Sequence, residues 1–217
     1  MNKSNQLPMI QLFPELVSLC EDLLDKQDLI SEKRKEELLH LAHDISQMLK
    51  KHSFANVISI CTHNSRRSQA SQLWIKTAAL YFGHENIYTF SGGTEATAFN
   101  HRMVSALERT GFLIEHLDHF PNPKYHIPLS EDDHSYTNYY SKVYSESYNP
   151  QQVFIAVLLC GSAHESCPIV KGASARHYIP YIDPGESDGQ KSEGETYYQK
   201  VFEIGREMVY LMSKVKA

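Results

Sequence analysis

The residue types best suited to chemistry lie together in one short segment. It runs Cys61-Thr62-His63-Asn64-Ser65-Arg66-Arg67-Ser68, a cysteine followed after five residues by arginine and then serine (C-x5-R-S). A loop of this length between a strand and a helix can curl so that successive backbone N–H groups point inward. The result is a cradle for a tetrahedral oxyanion at the N-terminus of the helix. The sequence therefore predicts that residues 61–68, here called the cradle, bind an oxyanion.

Cys61 is expected at the floor of the cradle, where the same N–H groups stabilise its thiolate over the thiol. Because the thiolate is the nucleophilic form of cysteine, Cys61 is the candidate nucleophile. The planar guanidinium of Arg67 can hold two oxygens of the oxyanion and the charge that develops on them. Ser68 can hydrogen-bond the sulfur or cap the following helix. The alternative is a buried Cys61 at the end of a strand, beside a solvated basic turn.

The cradle must be positioned by a strand before it and a helix after it. We predict that strand at Val57–Ile60 and that helix at Gln69–Phe82. Further strands are predicted at Ile87–Phe90, Val153–Leu159 and Tyr178–Ile182, and further helices at Phe99–Thr110 and Gly194–Lys214. Strands that alternate with helices are typical of an α/β fold. We therefore predict an open parallel four-stranded sheet with helices on both faces and ligands at the carboxyl ends of its strands.

Residues 1–52 differ from the rest because they contain no glycine and are rich in Leu, Glu and Lys. A first helix is predicted from Phe13 to about Asp25, with Pro14 in its first turn. Ser31 is the predicted N-cap of a second helix, in which Leu38 to Leu49 carry an apolar stripe. We therefore divide the chain into an N-terminal helical extension, residues 1–52, and an α/β domain, residues 53–217.

Composition excludes several classes of function. The chain has 21 Lys and Arg against 26 Asp and Glu, a net charge of −5, which gives no general attraction to nucleic acid. No apolar run approaches the roughly 20 residues that span a bilayer, and no secretory signal is recognisable. The 4 cysteines lack the spacing of a disulfide framework or a zinc site. We expect a cytoplasmic protein with no metal and no cofactor, which binds neither nucleic acid nor membrane.

Three segments resemble one known family. The cradle and the residue after it, C-T-H-N-S-R-R-S-Q, are similar to C-T-G-N-S-C-R-S-Q of thioredoxin-coupled arsenate reductases. Ser91–Ala96, with Asn100 and Arg102, looks like a second-strand loop whose serine supports the cradle asparagine, here Asn64. Asp183-Pro184 resembles a late loop that carries a general acid. From Asn56 onward the chain thus resembles these reductases and the related low-molecular-weight protein tyrosine phosphatases, which implies a phosphotyrosine phosphatase I-like fold.

The resemblance also implies roles for three residues outside the cradle. Asp183 would protonate the leaving oxygen of a phosphate ester, although Asp183-Pro184-Gly185 is by its own sequence simply a turn. Cys160 and Cys167 have the spacing of the reductases' disulfide relay. There the first distal cysteine attacks the adduct on the cradle thiolate, and the second resolves the disulfide for thioredoxin. The structural alternative is a buried Cys160 at a strand end and an incidental Cys167.

The chain departs from the family pattern at a few positions. Arg66 stands where reductases commonly have another cysteine, and His63 replaces a glycine. Gly185 and Glu186 replace the aromatic pair that often follows Asp-Pro in tyrosine phosphatases, which weakens the assignment of phosphotyrosine as substrate.

Three hypotheses follow from these patterns. The leading one is reduction of arsenate through Cys61, with thioredoxin as the partner. The alternative is hydrolysis of phosphate monoesters through a phosphocysteine intermediate, with Asp183 as the acid. A third is a noncatalytic module that binds an anion or senses redox state.

Overall fold

The computed structural model describes residues 11–131, 137–166 and 169–216. Its α-helices are α1 (Pro14–Leu24), α2 (Glu32–His52), α3 (Arg67–Tyr81), α4 (His101–Thr110), α5 (Gly161–Ser166) and α6 (Glu193–Ser213). Its strands are β1 (Ala55–Cys61), β2 (Ile87–Gly93), β3 (Glu115–His116), β4 (Tyr125–His126), β5 (Asn138–Tyr139), β6 (Phe154–Leu158) and β7 (Ala173–Tyr178). Single 3₁₀ turns lie at Gln27–Leu29 and Pro184–Ser187.

Four parallel strands form the main sheet, in the order β2-β1-β6-β7, with helices around them. The predicted parallel four-stranded α/β fold is thereby confirmed. Strands β1 and β6 are central and carry almost continuous apolar runs, as expected where both faces of a sheet are covered. Because all four strands run in one direction, their carboxyl ends meet at a single edge, which holds the cradle.

The cradle helix α3 is buried along most of its length and packs on β1, β2 and α6. Its Trp74 is fully buried, and the ring lies edge-on to Phe112 at a centroid distance of 5.2 Å. A helix so enclosed holds its N-terminus in a fixed place relative to the strand ends. The position of Arg67 and Ser68, its first two residues, therefore depends on core packing.

Two predicted boundaries were wrong. The fourth strand lies at Ala173–Tyr178, not at Tyr178–Ile182. It is an edge strand with half-exposed side chains, so it lacks the apolar run that the prediction relied on. The apolar residues Ile179 and Tyr181 instead follow the strand, and their amides bond to Leu158 and Leu159 at 2.9 and 3.0 Å. The segment predicted as a loop at Ser91–Gly93 is the end of β2, extended by pairing with β1.

The helices of the N-terminal extension pack directly on the sheet and its helices. Leu16, Cys20 and Leu23 are the buried residues of α1, which contacts α3 and α6. Helix α2 contacts α6, β1 and β7, and the Oγ of its predicted N-cap Ser31 accepts a hydrogen bond from the Arg34 amide at 3.3 Å. Both helices thus contribute to the same apolar core as the α/β domain.

The segment after α4 contains a second, smaller sheet that the sequence pattern did not predict. Strands β3, β4 and β5 are antiparallel and only two residues long. Within residues 11–131, 137–166 and 169–216, no helix combines the length and apolar character needed to cross a bilayer.

Candidate active site

The cradle joins the end of β1 to the start of α3, as the sequence predicted. Cys61 is the last residue of β1 and is 3% exposed, so its thiol lies at the floor of the loop. Gly93 of β2 pairs with it across the sheet. A Cβ atom at Gly93 would lie 2.5 Å from the Thr62 carbonyl oxygen and 2.7 Å from the Asn64 nitrogen. The loop therefore needs glycine at position 93 because its main chain passes so close.

The carbonyl oxygens of the cradle have hydrogen-bond partners, whereas the amides after Cys61 do not find any among the described residues. Five carbonyl oxygens accept hydrogen bonds from surrounding groups: Cys61 from the Thr94 amide, Thr62 from the Glu95 amide, His63 from Ser141 Oγ, Asn64 from Gln69 Nε2 and Ser65 from the Asn100 amide, at 2.7 to 3.1 Å. By contrast, no described residue accepts a hydrogen bond from the amides of residues 62–69. Unpaired amides at a helix start are the groups that bind anions.

A serine and an asparagine surround the Cys61 sulfur. Ser68 Oγ lies 3.0 Å from Cys61 Sγ and accepts a hydrogen bond from Asn64 Nδ2 at 2.8 Å. Since that bond occupies a lone pair of the hydroxyl, the Ser68 O–H is free to donate to the sulfur and stabilise a thiolate. Asn64 has φ of 48°, and its Oδ1 accepts from the Lys142 amide at 2.9 Å.

The Ser91 side chain makes no hydrogen bond to Asn64, although the family resemblance implied one. Its Oγ is buried and has no hydrogen-bond partner among the described residues, and its carbonyl oxygen accepts from Asn149 Nδ2 at 3.0 Å. The strand register explains the difference. Ser91 pairs with Ser59, two residues deeper in the sheet than the Cys61 and Gly93 pair. The support that was expected from Ser91 comes instead from Ser68 and the Lys142 amide.

Arg67 and Asp183 meet at the mouth of the cradle. Arg67 Nη2 donates to Asp183 Oδ2 at 2.6 Å, and Nη1 donates to the Tyr181 carbonyl at 2.9 Å. The Arg67 Nε is buried without a partner among the described residues. Asp183 also caps the 3₁₀ turn after it, because its Oδ1 accepts from the Gly185 amide at 3.0 Å. The aspartate is therefore a turn residue, as its own sequence suggested, and is also in contact with the cradle arginine.

Arg66 connects the cradle to the segment 183–188, here called the late loop. Its Nε donates to the Tyr197 hydroxyl at 2.7 Å, and its Nη2 to Asp188 at 3.1 Å. Tyr197 donates in turn to Asp188 at 2.7 Å. Burial raises the pKa of Asp188, but the Tyr197 hydrogen bond and the charges of Arg66 and Arg102 outweigh it, so the net shift is downward. An ionised Asp188 therefore holds the late loop to the cradle.

A second thiol lies beside the cradle. Cys160 follows β6 at the same sheet edge, and its Sγ is 3.3 Å from Oγ1 of Thr62, the residue directly after Cys61. Cys160 is a free thiol with 5% exposure, and α5 begins immediately after it. Cys167 lies outside the described residues. The His63 side chain is exposed, and its Nε2 lies 3.7 Å from Glu95.

Three residues around the cradle were not predicted. Lys142 is fully buried, and its amide binds Asn64. Tyr197 and Asp188 hold Arg66. Asp188 and Tyr197 follow the Asp183-Pro184 turn at a short distance in sequence, so that turn was the signal that could have drawn attention to them. Nothing in the sequence pattern distinguishes Lys142.

Comparison with known proteins confirms the family resemblance. No protein-family model matches the chain. It is 27% identical over 146 residues to an arsenate reductase of Bacillus licheniformis, covering 65% of this chain and 83% of that protein. It is also 27% identical over 150 residues to an arsenate reductase of Bacillus subtilis, covering 69% and 88%. A low-molecular-weight protein tyrosine phosphatase from T. tengcongensis has the same fold, with a TM-score of 0.50, 15% identity, and coverage of 74% and 99%.

Proposed function

We propose that this chain is a cysteine-dependent enzyme acting on tetrahedral oxyanions, and that it reduces arsenate. The proposal rests on one observation above all: the cradle carbonyls bond to surrounding groups, whereas no described residue accepts a hydrogen bond from the amides of residues 62–69, which follow the Cys61 thiol. The sequence similarity to two arsenate reductases selects arsenate among the oxyanions of this shape.

In the first step the Cys61 thiolate attacks the arsenic atom. A covalent sulfur–arsenic bond forms, and one oxygen of arsenate leaves as water after protonation. The cradle amides and the Arg67 guanidinium hold the remaining oxygens and the negative charge on them. Ser68, 3.0 Å from the sulfur, stabilises the thiolate before the attack.

A second thiol then supplies the electrons. The Cys160 thiolate attacks the Cys61 sulfur, so a disulfide forms, the sulfur–arsenic bond breaks, and its electron pair reduces arsenic from As(V) to As(III), which leaves as arsenite. Cys167 attacks Cys160 and releases Cys61 as a thiolate. An external dithiol, for which we propose thioredoxin, then reduces the Cys160–Cys167 disulfide by thiol–disulfide exchange. The position of Cys160 beside Thr62 supports this order.

Phosphate monoester hydrolysis is the second candidate, and a different contact favours it. Asp183 lies 2.6 Å from Arg67, so a carboxyl group is present where a leaving oxygen bound at the cradle would need a proton. This reaction would use Cys61, Arg67 and Asp183, pass through a phosphocysteine intermediate, and need neither distal cysteine.

A series of single substitutions separates the two reactions. Wild type, Cys61→Ser, Cys160→Ser and Cys167→Ser are each assayed for thioredoxin-dependent arsenate reduction and for p-nitrophenyl phosphate hydrolysis. We expect Cys61→Ser to abolish both activities. Cys160→Ser and Cys167→Ser should abolish reduction and leave hydrolysis within a few-fold of wild type.

Cys20→Ala is the matched control because it removes a buried free thiol of α1 that is not part of the cradle. Burial raises the pKa of Cys20 to about 12, so this thiol is not ionised near neutral pH. Arsenate reduction that survives both distal substitutions would contradict the relay. A wild-type protein that binds phosphate but has neither activity would make the chain a noncatalytic anion-binding module.

A further inference from the structure

Arg34, in the first turns of α2, reaches the segment that leads to Asp183. Its Nη2 donates to the Pro180 carbonyl at 2.6 Å, a contact between residues 146 positions apart in the chain. Its guanidinium carbon lies 5.4 Å from the centre of the Tyr181 ring. Arg34 belongs to the N-terminal extension, so these contacts join the extension to the neighbourhood of the cradle.

A buried carboxylate completes the contact. Arg34 Nε lies 3.4 Å from Glu207 of α6, and the Tyr181 hydroxyl donates to the same carboxylate oxygen at 2.6 Å. The side chains of Arg34 and Glu207 are 17% and 7% exposed, so little water competes for them. The side chains of Arg34, Tyr181 and Glu207 thus all contact one another. Arg34 meets the 180–181 segment at two places, the Pro180 carbonyl and the Tyr181 ring.

The same segment holds the groups at the cradle mouth. Arg34 covers the ring of Tyr181, and the main-chain carbonyl of the same residue accepts from Arg67 Nη1 at 2.9 Å. Two residues later, Asp183 accepts from Arg67 Nη2 at 2.6 Å. A displacement of residues 180–183 would therefore move both the carbonyl that orients Arg67 and the carboxyl group of Asp183.

We propose that Arg34 is a positioning residue for this site: the N-terminal extension holds residues 180–183, and through them Arg67 and Asp183, in their places at the cradle. The catalytic effect of Arg34 rests on the proposed function, whereas its role in holding residues 180–183 in place does not depend on that function. It assigns the extension a task in the chemistry, in addition to the apolar packing of α1 and α2.

The test compares Arg34→Gln with two matched variants. Arg34→Lys keeps the charge and loses the fork that bridges Pro180 and Glu207. Lys33→Gln removes a positive charge from the neighbouring, exposed position of the same helix. Each variant is assayed for arsenate reduction and for hydrolysis of two aryl esters, phenyl phosphate with a poor leaving group and 2,4-dinitrophenyl phosphate with a good one. Amide hydrogen exchange is measured at Tyr181, whose amide bonds to Leu159.

We expect Arg34→Gln to lower kcat for arsenate reduction and for phenyl phosphate hydrolysis by about tenfold, since small misplacements of catalytic groups are costly. Hydrolysis of the dinitrophenyl ester, which needs no acid, should fall less. Exchange at Tyr181 should accelerate about tenfold, while exchange at Leu159, whose amide bonds to Ile60 within the sheet, stays constant. Arg34→Lys should recover part of each effect, and Lys33→Gln should match wild type.

The results separate the two proposals. Unchanged exchange at Tyr181 in a folded Arg34→Gln protein would overturn the positioning role, whatever the enzymatic activity. Equal losses for the two esters, together with equal acceleration of exchange at Tyr181 and Leu159, would also overturn it, because they indicate general destabilisation. A wild-type protein without either activity would refute the proposed function, and the exchange data would still decide on Arg34.

Discussion

Gly93→Ala should damage the cradle without touching any reactive group. The backbone of Gly93 is not in the left-handed region, so alanine is permitted there by its dihedral angles. The obstacle is space: a Cβ atom would lie 2.3 Å from the Glu95 carbonyl oxygen, 2.5 Å from that of Thr62 and 2.7 Å from the Asn64 nitrogen. All three are main-chain atoms, which cannot rotate away as a flexible side chain can.

The size of the effect follows from those distances. Ordinary contact of a Cβ atom begins near 3.4 Å, so the cradle main chain must move by roughly 1 Å. A displacement of that size at reacting groups costs about 100-fold in rate. Overpacking of a dense region destabilises a protein by about 1–3 kcal/mol. We therefore expect a folded variant whose kcat/KM for arsenate or aryl phosphate is about 100-fold below wild type.

Two other glycines provide controls for the same assay. In Gly194→Ala the added Cβ meets nothing within 4 Å, so activity should equal that of wild type. Stability should not fall, because position 194 lies in α6 and alanine is a better helix former than glycine. In Gly205→Ala it meets the Trp74 ring at 2.6 Å, within the core between α6 and α3, which should lower the urea midpoint. Activity of that variant measured well below its midpoint should exceed that of Gly93→Ala. Wild-type kcat/KM in a folded Gly93→Ala protein would refute the placement of the site in this loop.

Three further predictions concern other groups. Ser68→Ala removes the hydroxyl beside Cys61 and should lower kcat by about tenfold or more, because hydrogen bonds to charged groups are strong; an unchanged rate of Cys61 alkylation by iodoacetamide would contradict this. Asp183→Asn should lower aryl phosphate hydrolysis by about 100-fold and change arsenate reduction little, and the reverse pattern would exclude Asp183 as the acid. Burial lowers the pKa of Lys142 to about 8 from 10.5, so the folded protein binds fewer protons than the unfolded chain between these values, and its free energy of unfolding should rise by about 3 kcal/mol across that interval. Urea titrations of Lys142→Met should lack this rise, and an equal rise in both proteins would show that the lysine is not responsible.

Local patterns in the sequence predicted the parts of the fold that depend on local physics. The Ser31 cap follows from a serine placed just before an apolar stripe, and the parallel sheet follows from short apolar runs that alternate with helical segments. The fourth strand was misplaced because an edge strand buries little apolar surface and so leaves no run to detect.

In the candidate site, too, the sequence predicted the local features and missed the contacts between residues far apart in the chain. The C-x5-R-S spacing predicted that Cys61, Arg67 and Ser68 lie in one loop, since they are within seven residues of each other in the sequence. The contacts of Arg66 with Tyr197, and of Arg34 with Pro180, join residues 131 and 146 positions apart. Such pairs arise from the way helices pack on the sheet. The residues next to either member of a pair in the sequence give no indication of its partner. The Lys142 amide acts on Asn64 through main-chain geometry, which residue type does not encode.

The strand order determines which groups lie at the strand ends next to Cys61. The proposed nucleophile Cys61 ends β1, the thiol Cys160 follows β6, and Asp183 comes after β7. One central sulfur therefore has a potential electron donor on the neighbouring strand and a potential proton donor one strand further along. Redox chemistry and hydrolysis would share the nucleophile but draw on separate neighbours, so each could be strengthened or lost by changes near one strand end while the other is left intact.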